Sequence, residues 1–281
     1  LNHLISFPKK VQVHFGQDNL DDTLLTDDRT ISPRTLAAIQ KAAKQGITIV
    51  LCSGRAENGI LPYVRKLNIA GTQEGRYLIA FNGASVFDLH FRLPIYKNAM
   101  DVSVLKFVYK EAKSRGMPSI VYDQSTIYSW EDSEWARMDA KLCNLNFKVV
   151  DNFEKFLEGS YPKMLVPSDP EKVKELKEFL SDKLDGKADI FISKPYFLEV
   201  MNHGVGKGPT ILWLADRLGI PYDQTMAFGD SMNDESMLRS CEYGVAMSNG
   251  LDYIKDMCEF VTRYDNNNDG IADFLESYVL K

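Results

Sequence analysis

Cysteine is scarce in this sequence. Its 281 residues hold four, Cys52, Cys143, Cys241 and Cys258, and none sits in a CxxC pair. Thiols so few and so scattered argue against a disulfide framework and for a reduced, cytoplasmic chain. No apolar run approaches the roughly 18–20 residues that cross a bilayer. Residues 1–10 carry no basic-then-apolar signal pattern. Positive charge is also short, with 33 Lys and Arg against 39 Asp and Glu and a formal charge of −6. Nucleic acid and anionic membranes attract a basic excess, so neither is an expected partner. Repeats and low-complexity segments are missing as well. What remains is 44% hydrophobic and 26% charged, ordinary globular composition. A chain of this length can bury a core without disulfides or a structural metal.

The first third alternates strand and helix patterns. Val11, Val13 and Phe15 alternate with polar residues. Ser32-Pro33 opens a helix as N-cap and first position, Leu36, Ile39 and Ala43 share a face, and Gly46 closes it. The apolar run Ile47–Cys52 suits a strand buried on both faces of a parallel sheet. A helix near Ile60–Leu67 and a strand at Tyr77–Phe81 complete a βαβαβ unit, so the fold class is α/β with right-handed crossovers. The middle changes character. Hairpins at Ser85–Tyr96 and Ile120–Trp130 mix with amphipathic helices at Val102–Ser114 and Glu171–Leu184, which predicts an α+β insert. Strand and helix alternation returns after it. The expected organisation is an α/β core in residues 1–85 and 201–281, interrupted by an α+β domain at 86–200.

Four segments place small, polar or charged residues at a strand end or helix start, where open α/β sheets form their sites. The first is Asn19-Leu20-Asp21-Asp22-Thr23-Leu24-Leu25. Its crowded acids repel unless a cation such as Mg²⁺ neutralises them, although an acidic surface turn fits equally well. The second, Ser53-Gly54-Arg55, could hold an anion through a hydroxyl, backbone N–H groups and a guanidinium, or could be a common turn. The third, Gly206-Lys207-Gly208, offers a point charge to phosphate, or a solvated turn lysine. The fourth is Gly229-Asp230-Ser231-Met232-Asn233-Asp234. An N-cap role would explain Asp230 but not Asp234 as well, whereas hard oxygen ligands for Mg²⁺ explain both.

Taken in order, these segments resemble the haloacid dehalogenase superfamily, and within it the Cof-type phosphatases with a C2B-like cap. Asn82-Gly83-Ala84 and Gly244-Val245-Ala246-Met247-Ser248-Asn249 resemble further motifs of that group, and the likeness spans nearly the whole chain. The resemblance implies a Rossmann-like core with a parallel sheet and an inserted cap. It implies Mg²⁺-dependent hydrolysis of a small phosphorylated metabolite, a sugar phosphate being one guess, through a phospho-aspartate. Position 19 would be nucleophile and metal ligand, and Asp21 the general acid and base as well as a metal ligand. Asp230 and Asp234 would serve the metal, and Lys207 the transferring group. Asp22, Thr23, Ser53, Gly54, Arg55, Asn82 and Asn233 would bind phosphate and substrate.

The resemblance breaks at Asn19, where the family has an aspartate. A neutral amide does not attack phosphorus appreciably. A recording error, an inactivation, or the use of Asp18 one residue earlier would each account for it. A catalytically impaired binder of phospho-ligands is the alternative function. A rival of another class is calcium binding, because Asp265–Glu276 fits an EF-hand loop at every ligand position.

Overall fold

The computed structural model describes residues 12–15, 22–69 and 74–280. Asp18, Asn19 and Asp21 lie outside these residues. The chain folds as two compact units. One gathers residues up to Gly54, Ile60–Ile95 and Gly206 onward, and the other gathers Arg55–Gly59 and Tyr96–Val205.

The first unit opens with strands β1 (Gln12–Phe15), β2 (Thr48–Cys52), β3 (Arg76–Ala80), β4 (Ser85–Asp88) and β5 (Leu93–Lys97). Helix α1 (Pro33–Lys44) has Ser32 as N-cap, whose hydroxyl accepts from the Thr35 amide, and Pro33 at its start. Gly46 follows its end at φ 83°, a left-handed value that glycine adopts without steric cost. Arg76 adds a cap that periodicity does not reveal. Its guanidinium is buried and donates to the Ala43 carbonyl in the last turn of α1 and to the Ile47 carbonyl. Helix α2 (Glu57–Leu67) follows β2.

The second unit has its own antiparallel-rich sheet. Its strands are β6 (Ile120–Tyr122), β7 (Thr126–Ser129), β8 (Asn146–Val149), β9 (Met164–Pro167), β10 (Ala188–Lys194) and β11 (Phe197–Asn202), in the order β10-β11-β9-β6-β7-β8. Helices α3 (Val102–Ser114), α4 (Glu134–Cys143), α5 (Phe153–Phe156) and α6 (Pro170–Lys183) accompany it. Val104, Leu105 and Val108 of α3 and Val173, Leu176 and Leu180 of α6 share one core with Val121, Met164, Val166, Leu198 and Val200. The sequence pattern gives no warning of α4. Its buried face is Ala136, Asp139 and Ala140, too small and too polar to register as an apolar stripe.

The chain then returns to the first unit with α7 (Lys207–Leu218), β12 (Thr225–Gly229), α8 (Glu235–Ser240), β13 (Tyr243–Ala246), α9 (Asp252–Met257), β14 (Phe260–Val261) and α10 (Gly270–Phe274). The larger sheet runs β14-β13-β12-β1-β2-β3-β4-β5. Pairing is parallel from β14 through to β3 and turns antiparallel at β4. The hairpin read from sequence at Ser85–Tyr96, as the start of the insert, forms as β4 and β5 and adds both strands to the larger sheet. Local alternation could not decide this, because a hairpin looks the same whichever sheet it joins.

Candidate active site

The sheet order puts β13, β12, β1, β2 and β3 side by side and parallel, so their carboxyl ends share one edge. Each motif found in the sequence follows one of these ends, Lys207-Gly208 excepted, which opens α7. Backbone hydrogen bonds continue past the strands and knit the motif loops together. The Ser53 amide donates to the Ile79 carbonyl at 2.8 Å, the Asn82 amide to the Ser53 carbonyl at 2.9 Å, and the Met247 amide to the Gly229 carbonyl at 2.9 Å.

Lys207 and Asp234 form the centre of the described part of the site. Lys Nζ lies 2.8 Å from Asp234 Oδ1, and the two side chains are 1% and 0% exposed. The other carboxylate oxygen of Asp234 accepts from the Asp230 amide at 3.1 Å, and with Ser231 it forms a reciprocal cap. Asp234 is thus held at both oxygens. Gly229 makes the turn possible, since a Cβ there would come within 2.6 Å of Asp234 Cβ. Lys207 is placed by packing at the start of α7. A Cβ on Gly83, at φ 107°, would lie 2.4 Å from the Gly206 carbonyl oxygen, and one on Gly208 would lie 2.3 Å from the Ser236 carbonyl oxygen. Thr210 adds a hydrogen bond to the Gly83 carbonyl at 2.8 Å. Close backbone approach is therefore the reason for glycine on both sides of the site.

Asp230 is buried, and the Thr23 hydroxyl donates to its Oδ1. Burial, with Asp234 and Asp22 nearby, pushes the Asp230 carboxyl up to about 7, against the opposing pull of Thr23 and Lys207. A carboxyl held this way is relieved by a cation. Two carboxylates and a hydroxyl are hard oxygen donors of the kind Mg²⁺ takes. Among the described residues no three His, Cys, Asp or Glu side chains gather into a metal cluster. Position 19 and Asp21, the other metal ligands that the resemblance implies, lie outside the described residues. Asn233 accepts from the Ser231 hydroxyl through Oδ1 at 2.6 Å, while its Nδ2 is buried without an acceptor among the described residues. That orphaned donor suits an anionic oxygen of a bound ligand.

The remaining candidates divide between the units. Asp22, Thr23, Ser53, Gly54 and Asn82 belong to the first, with Ser53 fully buried and Asn82 buried in a left-handed backbone conformation. Arg55 clusters with the second. Sequence reading passed over Asn249, whose Nδ2 donates to the Asp22 carbonyl at 2.7 Å. Its place at the end of the Gly244–Asn249 motif was the available signal.

The calcium reading is overturned. The element before Asp265 is the short strand β14, where an EF-hand needs a helix. The loop's acids are committed elsewhere. Asp265 Oδ1 accepts from the Asn268 amide, Asp269 accepts from the Ser32 hydroxyl, and Glu276 pairs with Arg34 at 2.6 Å.

A model of the haloacid dehalogenase-like hydrolases matches residues 19–275. The chain belongs to that family. Individual relatives agree. A Bacillus subtilis protein named as a candidate phosphatase is 29% identical, over 93% of this chain and 97% of its own. A second B. subtilis relative, a 5-amino-6-(5-phospho-D-ribitylamino)uracil phosphatase, is 28% identical over 92% and 95%. A haloacid dehalogenase-like hydrolase from Bacteroides thetaiotaomicron, solved by crystallography, is 27% identical and superposes with a TM-score of 0.86, over 95% of this chain and 98% of that one. Within the haloacid dehalogenase-like hydrolases the chain is of the Cof phosphatase type, an α/β core with a cap, and phosphatases of this family generally use a divalent metal. Among the described residues, no helix is long and apolar enough to cross a membrane.

Proposed function

We propose that the protein is a Mg²⁺-dependent phosphatase acting on a small phosphate monoester, with the second unit, chiefly Tyr96–Val205, supplying the cap. The observation that supports this most is the buried meeting of Thr23, Lys207, Asp230 and Asp234, contributed by separate parts of the chain at one sheet edge. Burying two carboxylates and an ammonium is costly unless they are paired or serve a ligand. Here one carboxylate is paired, the other is crowded, and an amide donor beside them lacks an acceptor among the described residues.

In this reading Lys207, Ser53 and Asn233 hold the phosphoryl group and offset its charge, preorganised by burial and by the fixed pairing with Asp234. The Asn82 loop, packed against the start of α7, fixes where Lys207 stands. Thr23 orients Asp230 as a metal ligand, and Asp234 orients the metal's surroundings from behind. The cation would neutralise charge developing on the phosphoryl oxygens. Position 19 would receive the phosphoryl group, and Asp21 would protonate the leaving oxygen and then take a proton from water. Asp22, Gly54 and Arg55 complete the substrate contacts. The relative named for a phosphorylated ribityl compound supports a small polyhydroxylated leaving group.

Asn19 favours a second reading, a binder of phospho-ligands with little turnover, because an amide oxygen is a poor nucleophile. One experiment separates the two. Peptide mass spectrometry first establishes residue 19, since Asn and Asp differ by about one dalton. Hydrolysis of p-nitrophenyl phosphate with Mg²⁺ is then compared for the parent and Asn19→Asp. The phosphatase reading expects Asp at residue 19 and ready turnover by the parent, whereas the binder reading expects Asn19 confirmed, little turnover by the parent and a sharp rise in Asn19→Asp. A chain with Asn19 confirmed that already turns over fast has its nucleophile elsewhere, and Asp18→Ala is then decisive.

A further inference from the structure

The Asn run in the rejected calcium loop has a different use. The end of the first acid motif and the two residues after it, residues 22–27, are held at three points by carboxamides from two other loops. Asn249 Nδ2 donates to the Asp22 carbonyl at 2.7 Å. Asn266 Nδ2 donates to the Leu25 carbonyl at 2.9 Å. The Asp27 amide donates to Asn267 Oδ1 at 2.9 Å, and Asn267 Nδ2 returns a bond to Asp27 Oδ1 at 3.0 Å. The two loops are tied to each other, because Asn249 Oδ1 accepts from the Asn266 amide at 3.2 Å. A carboxamide can donate and accept at once, so Asn is the side chain that can bridge two backbones in this way.

The turn carrying Asn249 also grips the other acid segment. The Leu251 amide donates to the Asp230 carbonyl at 2.9 Å, and a Cβ on Gly250 would come within 2.9 Å of that same oxygen. Residues 249–251 therefore touch the backbones of both Asp22 and Asp230. The loop at 265–270 is itself tied down. Asp265 caps its turn at Asn268, and Gly270 sits where a Cβ would lie 2.0 Å from the Tyr264 carbonyl oxygen.

We propose that Asn249 is a positioning residue, which with Asn266 and Asn267 ties residues 22–27 to the turn whose Leu251 amide holds the Asp230 carbonyl, and so sets the spacing between the Asp22 loop and Asp230. It touches neither substrate nor metal in this scheme. Its effect passes through the placement of Thr23 against Asp230. The effect on catalysis rests on the phosphatase reading, whereas the structural brace does not.

The test has two readouts. Hydrogen exchange with mass spectrometry on the metal-free protein reports the brace alone. Asn249→Ala should speed exchange roughly 3–10-fold in peptides covering residues 22–30 and 264–268, the effect of losing one hydrogen bond in each. Asn249→Asp keeps the acceptor for the Asn266 amide but cannot donate to the Asp22 carbonyl, so only residues 22–30 should respond. On the Asn19→Asp background, Asn249→Ala should lower kcat roughly 10–100-fold with KM nearly unchanged, as loss of a supporting partner does. Should Asn249→Ala unfold the protein, Asn267→Ala at the exposed end must still speed exchange at Asp27. Unchanged exchange at residues 22–30 in Asn249→Ala, or in Asn267→Ala where that replaces it, overturns the brace. Altered exchange with unchanged kcat overturns the catalytic half. An inactive Asn19→Asp parent with altered exchange faults the functional reading and leaves the brace standing.

Discussion

Replacing Lys207 by Met tests the centre of the site through stability alone. Met keeps much of the buried stem and removes the ammonium, so Asp234 loses its partner 2.8 Å away while remaining 0% exposed. The orphaned carboxylate must stay charged in the interior or take a proton. Breaking a buried pair from one side leaves an uncompensated charge and costs roughly 3–5 kcal/mol. Because the Asp230 amide and the Ser231 cap still hold Asp234, the loss should fall at about 3–4 kcal/mol, within the range for breaking a buried pair. With Trp130 and Trp135 replaced by Phe, Trp213 on α7 reports urea unfolding of the first unit. Adding Asp234→Asn removes the stranded charge, so the double variant should recover at least about 2 kcal/mol relative to additivity. A loss below about 1 kcal/mol, or strict additivity, would refute the claim that this pair organises the site.

Asp230→Ala should abolish any rise in melting temperature on adding Mg²⁺, and the metal-free variant should melt no lower than expected for a lost side chain, because crowding with Asp234 is relieved. Differential scanning fluorimetry with and without Mg²⁺ reads both, and a full Mg²⁺ response in the variant counts against the metal assignment. Calorimetric titration with Ca²⁺ should give no saturable binding that Asp265→Ala removes. The same variant should instead lose about 1 kcal/mol of stability with its cap on the Asn268 amide. Calcium binding lost on that substitution would restore the EF-hand reading.

Much of the site was legible because its chemistry is written as short motifs at element ends. Ser32-Pro33 announces a helix by local hydrogen bonding, and its cap forms as read. The β2 run of apolar, β-branched residues announces a central parallel strand because both of its faces are buried. Short helices resisted. α4 hides behind alanines, and α9 (only Asp252–Met257) is too short to show periodicity. The Asp265–Glu276 pattern misled because ligand spacing says nothing about where carboxylates point once Ser32 and Arg34 pack beside them.

The sequence by itself determined the α/β class, the order of the motifs and the departure at Asn19, since each depends on residue type and local spacing. Tertiary structure alone decided which sheet the 85–97 hairpin joins, that Arg55 clusters apart from Ser53 and Gly54, and that Asn249, Asn266 and Asn267 bridge to residues 22–27. Those outcomes hang on contacts between residues far apart in the chain. A carboxamide or a glycine reads the same in any loop until the sheet brings its neighbour within 3 Å.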